Sequence, residues 1–135
     1  MSDPIQLFTI LPIPPEEAYR AWLDSRMHSE FTNSKVVIVP IEGGAFSSWD
    51  GYITGSIVIL EPEQHIVQRF RTTDFSPEDE DSILDLWFIP EGNGCRLVLT
   101  HSRLPEGREE EFELGWEDHY LSPMTAYFYR EAGLA

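Results

Sequence analysis

REEEFELGWEDHYLSPMTAYFYRE, residues 108–131, decides how this chain folds. Phe112, Trp116, His119, Tyr120, Pro123, Met124 and Tyr127 fall on one side of a helical wheel. Glu109, Glu110, Glu113, Glu117 and Asp118 fall largely elsewhere. That is the pattern of a long amphipathic helix with one face to bury. Pro123 lies inside it and removes one backbone hydrogen bond, so a kink is expected there. Gly115, next to Trp116, is expected to let the helix approach its support closely.

The support lies upstream. KVVIV (35–39), AFSSW (45–49), YITGSIVIL (52–60), HIVQRFRTT (65–73), SILDLWFI (82–89) and CRLVLTH (95–101) read as strands. Turn chemistry separates them: Glu42-Gly43-Gly44, the hairpin signal Asp50-Gly51, Glu61-Pro62-Glu63 and Glu91-Gly92-Asn93-Gly94. Connections this short make an antiparallel meander, with Asp74–Asp81 as a longer acidic loop. At 82–89 apolar residues occur in both alternations, Leu84, Leu86, Phe88 and Ile83, Trp87, Ile89, so either face is open to burial. IQLFTIL (5–11) is a further strand, stopped by Pro12, Pro14 and Pro15. A short helix over 15–24 follows, with Glu16 and Glu17 at its N-terminus, and another turn over 26–32 carries Met27 and Phe31. The economical arrangement is α+β: a curved seven-stranded antiparallel sheet wrapped around the terminal helix.

At 135 residues the chain is expected to form one domain, 1–135. Nine Lys and Arg stand against 24 Asp and Glu, a formal charge of -15. Nucleic-acid binding needs many phosphate-neutralising cations and is excluded as an expectation; an anionic membrane surface is equally disfavoured. No apolar run reaches the about 18 residues of a membrane span. The first residues lack the basic and apolar regions of a signal peptide, so a cytoplasmic location is expected. Cys95 is the only cysteine, which rules out an intramolecular disulfide and reads as a small strand residue.

The chemistry-bearing motifs are few. His28, His65, His101 and His119 show no metal-ligand spacing, the acidic loop lacks a calcium-binding pattern, and Gly43-Gly44 does not open a helix. Neither a metal nor a cofactor is expected, and no catalytic residue is assigned. The aromatic residues stand out more. Phe46, Trp49, Phe70 and Trp87 sit on strands, and Trp116 and Tyr120 on the last helix. His101, Ser102 and His119 supply sparse polar groups beside them. Such aromatics either fill the core or wall a cavity between sheet and helix; apolar walls with a few polar groups suit a small-molecule site. Phe46, Trp49, Phe70, Trp87, His101, Trp116, His119 and Tyr120 are therefore the candidate cavity residues. The ligand expected is mostly apolar, and neutral or cationic given the overall charge.

Five stretches resemble one known family. They are Phe31-Thr32-x-Ser34-Lys35, Glu42-Gly43-Gly44-x-Phe46-Ser47-x-Trp49-Asp50-Gly51-Tyr52-Ile53-x-Gly55, Ile66-Val67-Gln68-x-x-Arg71-Thr72, Arg96-Leu97-x-Leu99-Thr100-His101-Ser102, and Gly115-Trp116-Glu117-x-His119-Tyr120-x-x-Pro123-Met124-x-x-Tyr127-Phe128. In this order they are similar to homologues of the activator of the heat-shock protein 90 ATPase. The resemblance implies the helix-grip fold of the START and birch-pollen-allergen superfamily (SRPBCC), often with a hydrophobic cavity between sheet and helix. It implies three readings of function: a binding protein for a small hydrophobic ligand, a co-chaperone-like partner of a heat-shock protein 90 chaperone, and, third, a cyclase- or aromatase-like enzyme. Only the C-terminal domain of the two-domain co-chaperone resembles this chain; the Asn-rich, Trp-containing motif of its N-terminal domain is absent.

Overall fold

The computed structural model describes residues 2–134. Seven strands form one antiparallel sheet: β1 (Ile5–Leu11), β2 (Val36–Ile38), β3 (Ala45–Ser48), β4 (Ile53–Glu61), β5 (His65–Thr72), β6 (Ser82–Glu91) and β7 (Gly94–Ser102). The order across the sheet is β1-β7-β6-β5-β4-β3-β2. The six later strands are thus a simple meander, and β1 closes it by pairing along β7 from Ile5↔His101 to Leu11↔Cys95. Between β1 and β2 lie α1 (Pro15–Leu23) and α2 (Ser25–Thr32). Pro15 occupies the first turn of α1, where its missing N–H costs nothing. Asp24 caps α2 by accepting from the Met27 N–H at 2.8 Å.

Strand alternation decides which side chains enter the core. On β7, Cys95, Leu97, Leu99 and His101 are buried. On β6 the choice left open by composition goes to Leu84, Leu86 and Phe88, with Trp87 and Ile89 exposed on the convex face. Burial of Cys95 pushes its thiol up to about 11.

The terminal helix crosses the concave face, but not as one uniform α-helix. α3 (Glu109–Trp116) runs into a π turn (Glu117–Leu121), and α4 (Ser122–Glu131) follows. The Ser122 N–H bonds the Glu117 carbonyl five residues back, immediately before Pro123, which has no N–H to give. The interruption expected at Pro123 therefore takes the form of an i→i+5 turn. Such a turn spreads one revolution over more residues, so each residue rotates less. The buried stripe begins as Phe112, Trp116, Tyr120 and resumes one position later as Leu121, Met124, Phe128. Two expectations are corrected by that shift: His119 is exposed, and Tyr127 is only half-buried while its neighbour Phe128 enters the core.

A third correction concerns Gly115. A Cβ built there meets nothing within 4 Å, so this glycine does not serve close packing. The close approach occurs instead at Gly55, where a Cβ would lie 1.9 Å from the Arg69 carbonyl oxygen and 2.6 Å from the Phe46 ring.

Candidate functional site: a groove between helix and sheet

A cavity of about 590 Å³ opens where α3 and the π turn pass over β4 and β5. Its walls are built from three places. The helix contributes Phe112, Gly115, Trp116 and Tyr120; the sheet contributes Ile53, Phe70 and Thr72; the β3–β4 loop contributes Trp49 and Tyr52. Glu111, Asp118 and His119 border the mouth. Gly115 faces this space, and its missing side chain widens the groove.

Trp49 reaches the groove through an unusual backbone. Trp49, Asp50 and Gly51 take φ values of 49°, 54° and 84°, so the connection is a four-residue loop rather than a two-residue turn. A bulky residue in the left-handed region costs about 1–2 kcal/mol. The strain turns the indole out of the strand line and sets it 5.3 Å from the Tyr120 ring, edge-on. Tyr120 in turn lies 4.6 Å from Trp116 and 5.6 Å from Trp22.

Behind the wall lies a buried polar chain. The Trp116 Nε1–H donates to His101 Nδ1 at 2.9 Å. That bond leaves the proton of the neutral ring on Nε2, which donates to Ser82 Oγ at 2.7 Å. The Ser82 hydroxyl donates to the Phe70 carbonyl, also at 2.7 Å. Helix, β7, β6 and β5 are thereby tied together by groups that are all satisfied. Burial holds His101 down at about 3, so the ring stays neutral across the physiological range. His28 is buried as well and is held down at about 4 by loss of solvation, only partly offset by its bond to the Trp22 carbonyl at 2.7 Å. Its Nε2 meets no hydrogen-bond partner among the described residues, and neither does Ser48 Oγ. Tyr120, whose hydroxyl burial pushes up, lies against Ser48.

The structure brings five of the eight candidate cavity residues to the groove: Trp49, Phe70, Trp116, His119 and Tyr120. It does not bring the other three. Phe46 is on the concave face but covers Gly55 and packs beside Val36, Ile38 and Ile57. Trp87 is on the convex face, 40% exposed, with its ring stacked 3.7 Å from His65. His101 sits behind Phe70 and Trp116 rather than between them and solvent. Sequence reasoning missed Tyr52, Phe112, Thr72 and Gly115 as groove residues and Ser82 as a partner of His101. Phe112 was legible on the helical wheel; Ser82 carried no signal beyond lying opposite Phe70 in a pair of strands. Among the described residues, no group of three or more His, Cys, Asp or Glu is placed to hold a metal ion. Among the same residues, no helix is long and apolar enough to cross a membrane.

A seven-stranded antiparallel sheet gripping a long terminal helix, with a groove between them, defines the helix-grip class. The family described as "Activator of Hsp90 ATPase homolog 1-like protein" matches residues 12–129, and the chain belongs to it. The human "Activator of 90 kDa heat shock protein ATPase homolog 1" is 29% identical over 114 residues, covering 84% of this chain and 33% of that protein. The mouse homolog 2 is 26% identical over 109 residues, covering 81% of this chain and 33% of that one. The chain thus spans about a third of the length of these curated relatives. The crystal structure of an HSP90 activator from Plasmodium falciparum superposes with a TM-score of 0.84 at 23% identity, covering 92% of this chain and 94% of that one. That likeness bears on the fold.

Proposed function

We propose that the chain is a binding protein that holds a small, mostly apolar ligand in the groove between the terminal helix and the sheet. The observation that carries this reading is the groove itself: about 590 Å³, walled by Trp49, Phe70, Phe112, Trp116 and Tyr120, with Thr72 among the few polar residues of its lining. Volume and lining fit a small-molecule site. The strained backbone of Trp49 adds support, since such conformations cluster at ligand clamps. A cyclase-like reaction needs an acid–base pair inside the groove. His101 lies behind the wall and His119 at the mouth, so that alternative is carried no further.

Gly115 supplies the test. The neutral fluorescent probe N-phenyl-1-naphthylamine is expected to bind the parent protein with quenching of tryptophan emission. Gly115→Phe places a ring in the open space of the groove and is expected to abolish that binding. Gly115→Ala should bind normally and gain about 0.5–1 kcal/mol of stability, because alanine is the better helix former. Equal probe binding by the parent and Gly115→Phe would mean that the probe sits elsewhere and the groove reading is wrong.

A second reading rests on a different observation, the 29% identity to a human heat-shock ATPase activator across 84% of this chain. It makes the protein a partner of a heat-shock protein 90 chaperone, acting in the cytoplasm. Because the match spans only a third of that activator, the chain alone is expected to bind a purified chaperone but to stimulate its ATPase weakly or not at all. Strong stimulation in a steady-state ATPase assay would put this reading ahead of the first.

A further inference from the structure

We infer that the ligand of the groove carries a positive charge, with its cationic group at the mouth beside Asp118 and Asp74 and its apolar part directed inward. This rests on the groove being a binding site, as proposed above, and specifies what the site selects.

The charges around the groove are one-sided. No Lys or Arg borders it, whereas Glu111 and Asp118 do. On the opposite side Tyr52 lines the wall and donates its hydroxyl to Asp74 at 2.6 Å, which brings a third carboxylate to the mouth. One cation is close, Arg108, and it is already engaged. It pairs with Glu111 at 2.6 Å, lies 5.1 Å over the Phe112 ring and is near enough to Asp74 to interact with it, so it offsets part of the charge on that side and leaves Asp118 as the unpaired carboxylate. An anionic ligand would therefore meet Asp118 and Asp74 at the entrance, where no Lys or Arg lines the groove among the described residues and His119 is the one lining group able to carry a positive charge. The Asp118 carboxylate makes no ion pair or hydrogen bond among the described residues. The interior offers no compensation for a buried charge of either sign: its walls are apolar apart from Thr72 and Tyr120, and the histidine behind them is neutral at physiological pH. A charged head belongs at the wet mouth and the apolar tail inside.

Displacement of N-phenyl-1-naphthylamine by two probes with the same tail and opposite heads, dodecyltrimethylammonium and dodecanoate, tests this below their micellar concentrations. In about 20 mM salt the cation is expected to displace the reporter at about tenfold lower concentration than the anion, and the gap should shrink in about 0.5 M salt. Asp118→Lys, an exposed change that leaves the core untouched, should close most of the gap. Glu63→Gln, in the distant β4–β5 turn, should leave it as it is. Dodecanoate displacing the reporter as well as the cation does would overturn the charge assignment and leave the groove reading standing. A gap that responds to Glu63→Gln as much as to Asp118→Lys would overturn it too, because the attraction would then belong to the whole acidic surface. Failure of the reporter to bind the parent protein would sink the groove reading and this inference together.

Discussion

Trp116→Ala is expected to destabilise the protein by about 3–5 kcal/mol, read as a shift of the urea midpoint at constant slope. The indole is 3% exposed and packs on Phe70 and Tyr120 with centroids 5.5 Å and 4.6 Å away. Its removal leaves a void and also deprives His101 Nδ1 of its donor. Trp116→Phe separates the two effects. It keeps an aromatic ring at the interface while losing the hydrogen bond and a smaller part of the buried volume, for which about 1–3 kcal/mol is expected. Against a typical domain stability of about 5–15 kcal/mol the alanine variant approaches the limit of folding. A Trp116→Ala protein that melts like the parent would show that the indole does not fill the helix–sheet interface.

Acidification is expected to produce an effect of similar size. An unfolded histidine titrates near 6.5, whereas burial holds His28 at about 4 and His101 at about 3 in the folded chain. Between those limits the unfolded state binds more protons than the native state, so stability rises with pH. The contribution is complete above about pH 6.5 and is lost as pH falls toward the folded values. At about 1.4 kcal/mol per unit and per ring, the two together remove about 5 kcal/mol between pH 6.5 and pH 4.5. Urea titrations across that range check the slope, and ring chemical shifts check its origin. Constant stability down to pH 4.5, or either ring charging near pH 6.5, would contradict the buried neutral state of both.

Much of the fold was legible because its periods are local. IQLFTIL is β1 residue for residue, and CRLVLTH, read as a strand over 95–101, is β7 to within one residue at each end. What escaped depends on geometry that no short window carries. A helical wheel drawn at constant rotation placed His119 and Tyr127 inward, because it could not know that the turn before Pro123 widens. Asp50-Gly51 signalled a reversal correctly but not that Trp49 would share its left-handed backbone. Trp87 had equal claims on both faces until pairing with His65 and Val98 settled the register. The groove is assembled from the helix, two strands and a loop far apart in the chain. Its aromatic walls could be guessed from residue type, but its open space, and the role of Gly115 in it, emerge only from the curvature of the sheet.

The π turn divides the terminal helix into two pieces of separate allegiance. α3 faces the groove through Phe112, Gly115 and Trp116. α4 is moored elsewhere: Phe128 meets Phe31 of α2 at 6.1 Å, and Thr125 shares a hydroxyl contact of 2.6 Å with Thr9 of β1. The extra residue works as a clutch between them, letting each half choose its own angular setting. Phe112, Gly115 and Trp116 thus shape the groove wall, while Thr125 and Phe128, one angular step away, hold the second half to β1 and α2.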